Sequence, residues 1–243
     1  MKYHLKDIVQ HTHGLGVIDL VKIVGTDSET TLEAISEDRS VIVQAKFKGV
    51  VADFIGTFGM PNLGKLNTIL NIPEYREDAS ITVSRQDRDG ESRPVGVNFV
   101  NKAGDFKNDY RFMSAEIVND KLKSVKFKGA TWNVDFVPSV ANIQRLRFQA
   151  SANSEETTFT AKTEGTDLKF YFGDHSSHAG NFVFQTDIAG SLSKAWAWPV
   201  NVFISILNLP GDKTVKISDA GVAMITVDSG LIDYNYMLPA QTK

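Results

Sequence analysis

The sequence contains no cysteine among its 243 residues. This absence excludes disulfide bridges and zinc sites with thiolate ligands, and it suits a reducing cytoplasm. Long apolar runs are also missing, because no stretch approaches the roughly 18 residues that a membrane-spanning helix needs. Residues 1–7 become amphipathic at once and lack the apolar core of a secretory signal peptide. We therefore expect a cytoplasmic protein with no membrane partner.

Neither sign of charge dominates the chain. It has 26 Lys and Arg against 29 Asp and Glu, which gives a net charge of −3. Domains that bind nucleic acid tightly are clearly basic. The balance therefore argues against tight DNA binding.

Signatures of catalysis are scarce. Residues 59–66, GMPNLGKL, have the P-loop spacing G-x-x-x-x-G-K, but Leu66 takes the place of the Ser or Thr that binds magnesium. The histidines form two short pairs, His11 with His13 and His175 with His178. No HExxH motif and no G-x-S-x-G elbow accompanies them. We expect no enzyme, no cofactor and no metal; His11 and His13 could instead face a nucleic acid.

One segment occurs twice. Residues 60–73 are MPNLGKLNTILNIP, and residues 198–210 are WPVNVFISILNLP. Both end in Ile-Leu-Asn-(Ile/Leu)-Pro, and their first prolines, Pro61 and Pro199, lie 138 residues apart. A spacing that long indicates a duplicated domain rather than an array of short repeats.

Apolar periodicity predicts four helices. Apolar residues that recur every three or four positions predict helices over 3–12, 61–71, 138–150 and 199–208. Prolines suit the first turn of a helix, so Pro61 should open the second. In the third, four apolar residues should face the core: Val140, Ile143, Leu146 and Ala150.

The rest of the chain has the pattern of strands. Alternating apolar and polar residues, as in Val41–Phe47 and Leu168–Phe172, are typical of half-buried antiparallel strands. We therefore predict an α+β fold of two tandem domains, each with two helices packed on antiparallel sheets. The domains are expected at 1–113 and 132–243, with a linker region at 114–131.

Three further stretches carry a family resemblance. They are HTHGLGVIDLVKI at 11–23, DFIGTFGMPNL at 53–63 with NIP at 71–73, and GLIDYNYMLPA at 230–240. Together with the repeat, they resemble the DNA sliding clamps, which are processivity factors of DNA polymerases, and most closely the T4-type bacteriophage clamp. The likeness covers essentially the whole chain, and none of its motifs is catalytic.

The resemblance implies an assembly and its partners. Two repeats per chain, in a clamp of six repeats, imply a homotrimeric ring closed by head-to-tail contacts. Such a ring would encircle double-stranded DNA, tether a DNA polymerase and require a separate ATP-dependent clamp loader. The protein would then work in the cytoplasm, that of the host cell if a phage encodes it.

Two sets of site residues follow from the same resemblance. Helices would line the hole, and basic residues on or beside them would face the DNA: Lys2, Lys6, Lys65, Arg145, Arg147 and Lys194. Partner peptides would dock in an apolar pocket between the linker and the tail of the chain: Val125, Phe127, Leu238, Pro239 and Ala240.

Two other functions stay open. A β-rich virion structural or assembly protein would also be acidic, free of cysteine and oligomeric. A hydrolase with a metal at the histidine pairs is the second alternative, for which metal content and its loss in His175→Ala would be diagnostic.

Overall fold

The structure is a computed structural model that describes residues 1–88, 90–123, 127, 129–174 and 178–241. The chain divides into two compact units. Unit 1 comprises Met1–Lys126 and Ser229–Tyr234, and unit 2 comprises Phe127–Asp228 and Asn235–Lys243.

The described residues of unit 1 form three α-helices and two antiparallel sheets. The helices are α1 (Lys2–His11), α2 (Leu63–Leu70) and α3 (Ala115–Lys121). The strands are β1 (Leu20–Gly25), β2 (Thr30–Ile35), β3 (Ile42–Phe47), β4 (Gly56–Pro61), β5 (Ser80–Arg88), β6 (Glu91–Val100) and β7 (Lys107–Arg111). One sheet has the order β4-β1-β2-β3 and the other the order β5-β6-β7.

Unit 2 repeats this plan with two helices. They are α4 (Val140–Ala152) and α5 (Val200–Leu207). The strands are β8 (Val134–Phe136), β9 (Thr158–Glu164), β10 (Asp167–Phe172), β11 (Gly180–Gln185), β12 (Ala197–Pro199), β13 (Asp212–Ser218), β14 (Val222–Asp228) and β15 (Ile232–Pro239). One sheet has the order β8-β13-β14-β15 and the other β11-β10-β9-β12.

The helices bury the predicted apolar stripes. In α1 the buried residues are Leu5, Ile8 and Val9, and in α2 they are Leu63, Leu66, Ile69 and Leu70. In α5 they are Val200, Phe203, Ile206 and Leu207. Removing such side chains from water is the main favourable term in folding. The predicted α+β class, with paired helices on antiparallel sheets, is confirmed.

The repeated prolines close strands instead of opening helices. β4 ends at Pro61 and β12 ends at Pro199, and neither strand was predicted from the sequence. Asn62 follows with φ 53°, a left-handed conformation that breaks the chain direction before α2 begins at Leu63. The predicted helix start at Pro61 is therefore wrong by two residues.

A fifth helix, α3, lies within the region predicted as a linker. Its residue Val118 is fully buried, and a Cβ added at Gly59 of β4 would come within 2.8 Å of the Val118 side chain. Met113, just before α3, exchanges two backbone hydrogen bonds with Gly59. Residues 113–121 thus belong to the packed part of unit 1, and the absence of a side chain at Gly59 permits the close approach.

Helix α4 matches its prediction only in part. Of the four residues expected to face the core, Leu146 is buried, Ile143 and Ala150 are half-buried, and Val140 is 85% exposed. Ser139 caps the helix by accepting a hydrogen bond from the Asn142 N–H at 3.1 Å, and the Asn142 amide donates to Gln185 at 3.2 Å. Asn142 therefore takes the inward position of the first turn, and Val140, about 200° away around the helix, faces solvent.

Candidate nucleic-acid interface

In unit 1, α1 and α2 pack together and leave a polar outer face. Lys6 and Lys65 are exposed on this face. A groove of about 290 Å³ lies between the helices, and these residues line it: Lys6, Val9, Gln10, His13, Gly14, Asn67, Leu70 and Asn71. The lining therefore combines a lysine, a histidine and three amides with no acidic residue. Such a groove attracts anionic groups.

In unit 2, α4 and α5 pack together and present two arginines. The Arg145 guanidinium is exposed and lies 5.3 Å from the centroid of the Phe182 ring. The exposed Arg147 donates a hydrogen bond to the side chain of Asn208, the residue that caps the C-terminus of α5. A cation is favourable there because the C-terminal end of a helix carries partial negative charge. Arg147 thus brings positive charge to α5, which has none of its own.

Acidic residues are nearly absent from these helices, all of whose residues the structure describes. Of the 29 Asp and Glu in the chain, α1, α2, α4 and α5 contain one, Asp7. The Asp7 carboxylate faces inward, where it accepts hydrogen bonds from Ser229 Oγ at 2.9 Å and Tyr234 Oη at 3.0 Å. The outer helix face of each unit is therefore cationic, although the whole chain is slightly acidic.

The six predicted DNA-facing residues do not share one environment in the structure. Lys6, Lys65, Arg145 and Arg147 lie exposed on the helix faces. Lys2 is half-buried, and its ammonium donates to the carbonyl oxygens of Tyr75 and Arg76. Burial, together with the nearby charge of Lys6, lowers the pKa of Lys2. The Lys2 ammonium is thus bound by backbone carbonyl groups of the same chain.

Lys194 lies away from the helix it was expected to precede. β12 separates it from α5, and its ammonium sits 5.8 Å from the centroid of the Trp196 ring. The Lys194 N–H donates to Asp219 at 3.1 Å, and the Trp196 indole N–H donates to the Asp219 carbonyl at 2.9 Å. Lys194 therefore belongs to a loop that is tied to the turn after β13.

The predicted peptide pocket is only partly described. Val125 lies outside the described residues, and the Phe127 ring stacks against Trp132 with centroids 6.1 Å apart. Leu238 is fully buried, whereas Pro239 is exposed and Ala240 half-buried. The tail is fastened, because the Ala240 N–H donates to Gly221 and the Gln241 N–H to Ala197, both at 2.9 Å. The pocket stays a prediction, with Pro239 and Ala240 offering its accessible surface.

The Asp219 turn that holds the Lys194 loop should weaken in acid. Burial alone would raise the pKa of Asp219, but hydrogen bonds from Ser193 Oγ, Ser193 N–H and Lys194 N–H hold this pKa below its usual range. Because the folded pKa is depressed, this stabilisation is present above the unfolded pKa and is lost as pH falls through the folded value. We expect Asp219→Asn to lower the free energy of unfolding at neutral pH and to cost progressively less as the pH falls through the folded pKa, measured by urea titration at a series of pH values. A loss that is the same at every pH would contradict this, and Ser193→Ala should reproduce part of the effect.

The alternative chemistries find little support among the described residues. In the P-loop-like segment, the backbone N–H groups of Leu63 and Gly64 donate to Asp19, and that of Lys65 donates to Asn62. These groups are therefore occupied and form no phosphate cradle. His11 is 1% exposed and stacks on Tyr234, so the expectation that it could face a nucleic acid is wrong.

Within the described residues, no group of three or more potential metal-ligating side chains converges, and no helix has the length and apolar character to cross a membrane. His175 of the second histidine pair lies outside those residues.

Several residues of the interface were not singled out by the sequence. Gln10, Asn67 and Asn71 line the groove of unit 1, and Tyr3 and Phe148 are strongly exposed on α1 and α4. The available signal was their position opposite the apolar stripe of each helix. That signal marks solvent-facing residues in general and does not identify a binding group.

Comparison with solved structures identifies the fold. The chain is similar to PCNA from A. fulgidus bound to the C-terminal region of FEN-1, with a TM-score of 0.70, 10% identity, and coverage of 100% of this chain and 97% of that chain. It is also similar to PCNA from Thermococcus kodakaraensis (TM-score 0.67, 11% identity, 99% and 97% coverage). The corresponding protein from Entamoeba histolytica gives a TM-score of 0.68 at 13% identity, with 98% and 94% coverage. No protein-family profile and no curated protein sequence matches the chain.

These similarities define a PCNA-like clamp fold. The predicted clamp fold is confirmed by neighbours that match over almost their full length. Those neighbours are sliding clamps of the PCNA type, and the particular closeness to the T4-type phage clamp stays a prediction. At 10–13% identity the likeness concerns the fold, so the function has to be argued from the helix faces.

Proposed function

We propose that the protein is a DNA sliding clamp: a non-enzymatic homotrimeric ring that encircles duplex DNA and tethers a DNA polymerase. The observation that carries this proposal is the cationic outer face of both helix pairs, which hold one of the chain's 29 acidic residues, and that one turned inward. In a ring of PCNA-like folds, such helix faces would suit the lining of a hole through which DNA passes.

The small number of cations fits sliding better than tight binding. Contacts between lysine or arginine and phosphate act through release of counterions, do not depend on base sequence and let a protein move along the duplex. Lys6, Lys65, Arg145 and Arg147 supply four exposed cations per chain. Topological retention by a closed ring would supply the persistence that these weak contacts lack.

Two partners follow from this mechanism. A closed ring has to be opened around DNA, and because the P-loop-like segment of this chain has its backbone donors occupied, we propose a separate ATP-dependent clamp loader. A polymerase held on the ring would stay at high effective concentration near the primer end. Its peptide would dock at the tail, near Pro239 and Ala240, and the FEN-1 segment bound to A. fulgidus PCNA is a precedent for a peptide ligand on this fold.

The solution mass and DNA retention test the proposal. We expect light scattering to give a mass near three chains that falls to one chain on dilution, and we expect the loaded protein to stay on closed circular duplex but leave linear duplex by its ends. A monomer at every concentration would contradict the ring. Large shells or tubes would favour the virion structural protein, which is the second candidate because the chain is β-rich and slightly acidic.

A further inference from the structure

Two aromatic side chains stand in solvent on the helix faces. Tyr3 of α1 is 77% exposed and Phe148 of α4 is 64% exposed. Most other aromatic side chains of the described residues are buried in the two cores or packed against neighbouring rings. Single exposed apolar side chains are ordinary, so the residues around these two rings decide whether they form a binding surface.

Each exposed aromatic residue has a cation on the same side of its helix. Lys6 lies three residues after Tyr3, and Arg145 lies three residues before Phe148. Residues three apart in a helix are surface neighbours, so each pair forms one small patch. The patch occurs once in each unit, on helices whose outer faces carry no acidic residue.

An encircled duplex would not use these aromatic rings. In a duplex the base faces are stacked on each other, and a protein sliding along it contacts mainly phosphates, which Lys6 and Arg145 can bind. In a single strand the base faces are free. Aromatic rings beside cations are the arrangement by which proteins bind single-stranded nucleic acid without sequence preference.

We infer that Tyr3 with Lys6 and Phe148 with Arg145 bind single-stranded DNA, the rings by stacking on bases and the cations by pairing with phosphates. This inference rests on the proposed function, since it assigns a second form of DNA to the same helix faces. Charge favours DNA over another copy of this chain: α4 presents two exposed arginines beside Phe148, and a protein surface covering them would have to supply matching acids.

The test is the affinity of the full-length protein for labelled oligothymidine, measured by fluorescence anisotropy. We expect Phe148→Leu, which keeps an apolar side chain but removes the ring, to weaken binding about fivefold or more, and Tyr3→Leu to act similarly. The dependence of affinity on salt should stay unchanged because the cations remain. Phe106→Leu, at an exposed aromatic residue of the turn between β6 and β7, is the matched control and should leave the affinity unchanged.

The outcomes separate this inference from the proposed function. Unchanged affinity for oligothymidine in both variants, with normal circular dichroism, would overturn it even if the ring is retained on circular duplex. A loss of trimer mass in Phe148→Leu without a loss of affinity would assign the residue to contact between chains and would also overturn it. Tighter binding to oligouridine than to oligothymidine would assign the face to RNA instead of DNA. Failure of duplex retention together with the expected losses in the leucine variants would reject the sliding clamp but keep the single-strand site.

Discussion

A quadruple variant with glutamine at Lys6, Lys65, Arg145 and Arg147 should lose about a thousandfold in affinity for duplex DNA near 0.1 M salt. Each phosphate contact contributes a slope of about 0.9 to the dependence of log affinity on log salt concentration. Removing four exposed cations per chain should therefore flatten that dependence as well as weaken binding. Both quantities come from titrations of a short duplex at several salt concentrations.

A second quadruple variant controls for net charge. Glutamine at four exposed lysines outside the paired helices gives the same change in charge: Lys46, Lys102, Lys123 and Lys162. We expect this variant to bind duplex nearly as well as the unchanged protein. If the two variants lost the same affinity, the general charge of the chain, rather than the helix faces, would govern binding, and the proposed hole would lose its main support.

The elements that the sequence predicts well are those with a long apolar period. α1, α2 and α5 bury the residues that recur at three and four positions, and the strands β2, β3 and β10 show clear alternation. The apolar period marks the residues that the core buries. It can be recognised in the sequence without knowing which segments pack against the helix or strand. This is why the fold class followed from the sequence.

The elements that escaped prediction have weak local signals. β12 has three residues, too few to show alternation, and β4 contains Gly56 and Gly59, which are poor strand formers on their own. α3 buries Val118 but carries charged residues at Glu116, Asp120 and Lys121, so its segment resembles a linker. In each case the structure is determined by pairing or packing with a segment that is distant in the sequence. The residues of the element itself do not reveal that contact.

The candidate site was predictable in its charge but not in its geometry. Lys65 and Arg145 are exposed as their helix positions indicate. Lys2 has the same kind of position, yet it reaches the carbonyl oxygens of Tyr75 and Arg76, more than 70 residues away in the chain. The exposure of Val140 likewise depends on a distant contact. The Asn142 amide donates to Gln185 of β11, so Asn142 rather than Val140 faces inward in the first turn of α4.

Asp7→Ala should lower the free energy of unfolding by about 3 kcal/mol, a large effect for a polar residue of a helix. One carboxylate oxygen of Asp7 accepts from both Ser229 Oγ at 2.9 Å and Tyr234 Oη at 3.0 Å, and the other lies 3.4 Å from Nδ1 of the buried His11. Alanine would remove the carboxylate that accepts from the buried Tyr234 hydroxyl, and it would leave Ser229 Oγ with the Ile232 carbonyl as its acceptor. The free energy of unfolding, measured by urea titration followed by fluorescence, checks this expectation.

Two comparisons identify the cause of that loss. Asp7→Asn keeps one acceptor oxygen and should cost clearly less than alanine, because a neutral amide still accepts from Tyr234. Glu29→Ala removes a carboxylate whose ion pair with Lys46 is solvent-exposed on both sides, so it should cost no more than about 1 kcal/mol. An alanine variant at position 7 as stable as the Glu29 variant would show that the cluster contributes little. A large loss would show that Asp7, the one acidic residue of an otherwise cationic helix pair, fastens α1 to Ser229–Tyr234 and so holds the lysines of that helix in place.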